Sequence, residues 1–128
     1  MNPNKFHCVR AIIGGLLAEL TVFLIVFPTR AVFGQKPFLG SILIASAVMP
    51  FVLALWVCRR VESRFVLHGA LVGIVAALFY LSLTWGRPQP VLYNISHVLK
   101  VAGGAAGGVA ASRRKTKSMA AESGTPRE

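Results

Sequence analysis

The 128-residue chain contains no aspartate and only four acidic residues, against fourteen lysines and arginines. Charged residues make up 14% of it, while 55% is hydrophobic; an ordinary soluble domain carries about 25% charge. The shortage of acid excludes chemistry that needs paired carboxylates, because Glu19 is the single carboxylate within any apolar stretch. No G-x-S-x-G, H-E-x-x-H or phosphate-binding glycine loop is present either. The residues therefore lead to the expectation of a protein without enzymatic activity, metal or cofactor. Ligation of a haem-like group by His68 or His97 stays open, although lone helical histidines are more often packing residues.

Cysteine is also scarce. Cys8 and Cys58 fall at helix ends that the charge pattern assigns to the cytoplasm, where a structural disulfide is not expected. With His7 and His68 they offer two sulfurs and two imidazoles, but the spacing matches no zinc pattern.

What the chain has in abundance is long apolar runs. Four of them, at 11–27, 38–58, 65–85 and 91–111, predict helices. At about 1.5 Å per residue each crosses a hydrocarbon layer of roughly 30 Å, the first only just. Breaks at 28–37, 59–64 and 86–90 are short, so consecutive helices are expected as antiparallel neighbours. The expected fold is an all-α, up-down bundle of four transmembrane helices over residues 1–111, followed by a flexible basic tail over 112–128.

The net charge of +10 is distributed in a way that argues for membrane orientation rather than nucleic-acid binding. Lys5, Arg10, Arg59, Arg60, Arg64, Arg113, Arg114, Lys115 and Lys117 flank one side of the expected spans. Only Arg30, Lys36 and Arg87 flank the other. Both termini are thus expected in the cytoplasm, with the basic residues against anionic head groups of the cell membrane. The first run resembles the start of a signal peptide, but Glu19 interrupts it and no A-x-A site precedes Pro28, so it is expected to be retained.

Two opposite charges lie inside these runs. Glu19 is near the middle of the first and Lys100 near the middle of the last, at nearly equal depth in antiparallel helices. A charge at the bilayer centre costs about 2.5–3.5 kcal/mol, so such residues find partners or serve function. His97 precedes Lys100 by three residues, which makes Glu19, His97 and Lys100 the candidate intramembrane cluster. The helical stripes Tyr93, His97, Lys100, Gly104, Gly107 and Ile12, Gly15, Glu19, Val22 are expected to face the bundle. Glycines recur at packing intervals: Gly69 and Gly73 in the third run, and Gly103, Gly104, Gly107 and Gly108 in the fourth. Four glycines in two turns leave room for internal packing, a second copy of the chain, or another membrane subunit. Pro50 leaves the carbonyl of Ser46 without its helical donor. Trp56, Tyr80, Trp85 and Tyr93 are read as interfacial anchors. A shift of 58 positions aligns Gly15 with Gly73, Ala18 with Ala76 and Leu20 with Leu78, as a sparse parallel repeat would.

The run G-G-L-L-A-E from Gly14 to Glu19 resembles part of the first helix of the small multidrug resistance transporters. That resemblance implies a dimeric, proton-coupled exporter of cationic compounds with Glu19 as the shared site. The chain departs from the pattern in Lys100, which would neutralise the glutamate, in the tryptophan context of the third run, and in its basic tail. Two functions follow from the residues. One is a structural or accessory membrane component in which Glu19 and Lys100 set helix register; the other is a minimal proton- or ion-coupled transporter of small solutes.

Overall fold

A computed structural model describes residues 8–124; Lys5, His7 and the end of the tail lie outside the described residues. The described chain is four helices: α1 (Cys8–Phe33), α2 (Gln35–Cys58), α3 (Phe65–Leu83) and α4 (Val91–Ser123). Apolar runs of this length leave the backbone no polar partner but itself, and the helix supplies one within each segment. Three of them, α1, α2 and α3, are long and apolar enough to cross a membrane. The fourth falls below them in hydropathy, because Asn94, Ser96, His97, Lys100 and four glycines replace the leucines and isoleucines of the others.

The first reversal is tighter than the expected 28–37 loop. α1 runs through Pro28 to Phe33, and α2 begins at Gln35. Pro28 faces outward, and Pro37 sits in the first turn of α2, where a missing N–H has no helical acceptor to leave empty. The turn is concentrated at Gly34, with φ 82° and ψ −167°. α3 also stops earlier than expected, at Leu83: Thr84 still bonds the Tyr80 carbonyl through its N–H (3.1 Å) and Oγ1 (3.0 Å), but its backbone leaves the helix at φ −106° and ψ 14°, and Gly86 turns the chain with φ 76°. Trp85 is left beyond the helix and is 85% exposed. The two turn glycines, Gly34 and Gly86, both have positive φ and stand 52 positions apart, so the 58-residue repeat is not the register of the hairpins.

The segment 112–123, expected as flexible, continues α4 as helix to Ser123. It contains alanine, lysine, arginine, methionine and glutamate, and no glycine or proline before Gly124. Lys115 Nζ donates to the Val61 carbonyl at 3.3 Å and lies 5.5 Å from the Phe65 ring, which ties the extension to the 59–64 loop.

Around the bundle the helices follow the order α1, α2, α4, α3, not chain order. α4 packs closely on both α2 and α3, whereas α1 and α4 make no close backbone approach. Glycine explains the order. A Cβ at Gly104 or Gly108 would strike the backbone of Gly69 or Phe65 in α3, and one at Gly103 or Gly107 would strike Ala47 or Phe51 in α2. All four glycines of α4 are thus used inside the chain, and α4 is wedged between α2 and α3. Gly73 meets the Lys100 carbonyl in the same seam. On the other side, Gly14 and Gly15 admit Val57, Val72 and Val75 against α1.

The interior is built from small residues. Ala11, Ala18, Ala45, Ala54, Val72 and Ala76 are buried, while Leu24, Phe27, Ile44, Leu78 and Val98 are exposed. Large apolar side chains outside and small ones inside suggest a membrane protein solvated by lipid tails. One correction concerns α1: Ile12 is 44% exposed, and Ala11 and Gly14 face inward instead.

Gly34 combines φ and ψ in a region essentially restricted to glycine, with nothing within 4 Å of an added Cβ. Gly34→Ala is expected to lower stability by about 1–3 kcal/mol through backbone strain alone. Gly40→Ala, in the interior of α2 with equally open space, is expected to be neutral or to gain up to about 1 kcal/mol. Thermal unfolding in detergent checks both, and equal behaviour of the two variants would remove the backbone explanation.

Candidate functional site

Glu19 and Lys100 meet across the α1–α4 diagonal. Lys100 Nζ lies 2.7 Å from Glu19 Oε2, and the residues are 1% and 2% exposed. The long lysine side chain spans the distance that the backbones leave open. Toward the 59–64 loop the pair is sealed by the apolar cluster of Ala11, Val57 and Val72. Toward the Gly34 turn lies a second cluster, Val22, Val26, Ile42 and Ala45.

Beside that second cluster runs a cavity of about 130 Å³. Glu19, Lys100, Ser46 and Ser96 line its inner part, and Phe27, Arg30, Phe38 and Tyr93 its outer part. Arg30, on the last turn of α1, holds its guanidinium 5.4 Å from the Phe38 ring centre. Phe23, Tyr80 and Tyr93 form an aromatic wall across α1, α3 and α4, with centroid distances of 6.0 and 5.8 Å. Tyr80 is its centre: Lys100 Nζ lies 4.8 Å from its ring and His97 packs against it at 5.1 Å. The tyrosines are therefore inner-wall residues, where the sequence reading made them interfacial anchors.

The polar groups here are incompletely matched. Among the described residues Glu19 Oε1 and Ser46 Oγ are buried without a hydrogen-bond partner, and so are both ring nitrogens of His97. Lys100 Nζ meets Glu19 Oε2 at ion-pair distance, and Oε1 has no partner among the described residues, so the carboxylate keeps acceptor capacity. Pro50, one turn after Ser46, has no N–H to donate to the Ser46 carbonyl. Ser96, by contrast, donates to the Tyr93 carbonyl at 2.9 Å. The cavity lining is mostly apolar, and a water at its inner end would find polar partners in Glu19 Oε1 and Ser46 Oγ.

The structure thus joins Glu19 to Lys100 directly and His97 to Lys100 through Tyr80. On α4 the fully buried polar neighbour is Ser96, one position from His97. Sequence reading passed over Ser96, Tyr80 and Arg30 as parts of this site. The helical spacing of Ser96, four residues before Lys100, was the available signal. His68 is buried at the start of α3, with Nδ1 2.9 Å from the Arg64 carbonyl. Cys58 donates to the Phe65 carbonyl at 3.4 Å. Among the described residues no three His, Cys, Asp or Glu side chains come together as a metal site.

The fold and site define a small helical protein with apolar helices of membrane type and a buried Glu–Lys pair. Comparison with family models, curated proteins and solved structures returns no match.

Ser46→Ala removes a hydroxyl without a protein partner and is expected to leave thermal stability unchanged or slightly raised. Tyr80→Phe keeps the stacked wall and the ring beside Lys100, whereas Tyr80→Ala is expected to cost about 3 kcal/mol. Unfolding of the two Tyr80 variants in detergent separates ring from hydroxyl, and equal losses would assign the role to the hydroxyl.

Proposed function

We propose that the chain is a four-span protein of the cell membrane, with both termini cytoplasmic, serving as a non-enzymatic structural or accessory component. In this reading Glu19 and Lys100 form a cross-brace that sets helix register. The carrying observation is that the ion pair bridges the pair of helices, α1 and α4, that lack close backbone contact.

Several features support the membrane placement of 91–111. Its polar Ser96 and Lys100 face inward, and Val91, Ile95 and Val98 face outward. Its low hydropathy then reflects Ser96, Lys100 and the glycines, which are shielded from lipid, together with Asn94, exposed in the first turn at the helix end. Arg59, Arg60 and Arg64 lie at the bundle end where Arg113, Arg114, Lys115 and Lys117 continue α4, which supports a cytoplasmic assignment for that end. At 33 residues α4 is about 50 Å long, so its last turns project beyond the hydrocarbon. A second copy or another subunit would dock on the outward faces, since the glycines of α4 are already covered.

A second reading, a minimal proton- or ion-coupled carrier of small solutes, is favoured by the cavity beside the pair. There Glu19 Oε1 and Ser46 Oγ offer acceptors to a solute or proton carrier.

A double-mutant cycle decides between them. For a cross-brace, Glu19→Gln and Lys100→Met each lose about 3–5 kcal/mol, and the double variant loses less than either. For a carrier, Glu19→Gln retains or raises stability while abolishing proton-coupled solute flux in liposomes. Cycle coupling near zero, with flux absent from the parent chain, would sink both readings.

A further inference from the structure

A second cavity, separate from the ion pair, lies where α2 ends, α3 begins and α4 continues past them. Its volume is about 560 Å³, within the range of built ligand sites. Two kinds of surface meet in it. One wall is apolar: Val52, Leu55 and Trp56 from α2, with Phe65 from α3. The rim is cationic: Arg59, Arg114 and Lys115, with the Ser118 hydroxyl beside them. Among the described residues no carboxylate lines it.

The three cations are not equivalent. Lys115 is held against the Val61 carbonyl and the Phe65 ring, which fixes the α4 extension over the cavity. Arg59 and Arg114 are exposed and, among the described residues, have no ion-pair partner. Glu62, the acidic residue of the adjoining loop, is exposed and pairs with neither. An anion at the rim would therefore meet two uncommitted guanidinium groups, which suit a phosphate geometrically.

The position along the bundle selects the form of that anion. The apolar span of α2 ends at Cys58 and that of α3 starts at Phe65, so the rim sits at the level where hydrocarbon gives way to head groups. Val52 and Trp56, both nearly half exposed, extend from the rim toward the middle of the bundle, along the path of an acyl chain. A free phosphate or a nucleic acid has no use for that wall, and a zwitterionic lipid offers the same phosphate but brings a choline cation to a rim that already holds three cations.

We propose that this groove binds one phospholipid with an anionic head group, its phosphate between Arg59 and Arg114 and one tail along Val52, Leu55 and Trp56. The inference rests on α2 and α3 being membrane spans, and is independent of the role of Glu19 and Lys100. It differs from general attraction of basic residues to a charged surface in having a fixed stoichiometry and named contacts.

Native mass spectrometry of the full chain from mild detergent tests it, with phosphatidylglycerol, phosphatidylcholine of the same tails, and glycerol phosphate as probes. One phosphatidylglycerol per chain is expected, bound at least about tenfold more tightly than phosphatidylcholine and not displaced by glycerol phosphate. Arg59→Gln with Arg114→Gln is expected to weaken it about 30-fold. Arg113→Gln with Lys117→Gln removes the same charge from residues that do not line the groove and should change it by less than about threefold, because exposed charges without a direct contact contribute little. Both pairs must match the parent chain in thermal unfolding. Trp56→Ala, which leaves the charges intact, should weaken both lipids alike. Equal losses from the two arginine and lysine pairs, equal retention of the two lipids, or displacement by glycerol phosphate would overturn the site. Extraction of the parent chain from vesicles by alkaline wash would instead overturn the membrane placement beneath it.

Discussion

Among lipid tails, burying a leucine against another leucine gains little, so helices must be held by close backbone contact or by polar groups that lipid cannot satisfy. This chain uses both. Glycine and alanine are concentrated where helices cross, and the bulky residues are turned outward. Because the glycines of α4 serve two neighbours, α4 is drawn between α2 and α3, and α1 is left on the far side of the bundle. The space on that diagonal is spanned by charge, through Lys100 reaching Glu19.

A buried pair of this kind is a weak source of net stability, since the loss of hydration offsets most of the attraction. Its leverage lies in what happens when one partner is absent: a lone charge remains in a non-aqueous interior. That asymmetry penalises any arrangement in which α1 and α4 slide relative to each other. The same open diagonal also creates the cavity beside the pair, where Glu19 Oε1 and Ser46 Oγ keep unmet capacity. Rigid register and a small, mostly apolar pocket with polar groups at its inner end are therefore two consequences of one packing decision.

The opposite end of the bundle is organised differently. Lys115 pins the α4 extension to the 59–64 loop, so the basic residues there are displayed on a helix rather than on a loose tail. Placing Arg114 over the end of α2 brings it to Arg59, which lies 55 positions earlier in the chain. Charge that composition spreads along the chain becomes local charge at one groove.

Much of the architecture was legible from residue order alone. Apolar runs and short breaks marked all four helices, because a long hydrophobic segment has few ways to satisfy its backbone. The opposite charges of Glu19 and Lys100 at matching depth indicated a pair, and the glycine spacing indicated close contacts. Helix ends were less legible, since Pro28 and Pro37 read as loop, although Pro37 sits in a first turn where a missing N–H is tolerated and α1 continues through Pro28 to Phe33. The order of helices around the bundle, the inward turn of Tyr80 and Tyr93, and the choice of Ser96 over His97 came only from tertiary structure. Sequence periodicity locates a face on one helix. Which neighbour that face meets is decided by backbone approach at Gly69, Gly73, Gly103, Gly104, Gly107 and Gly108 taken together, and that is a property of all four helices at once.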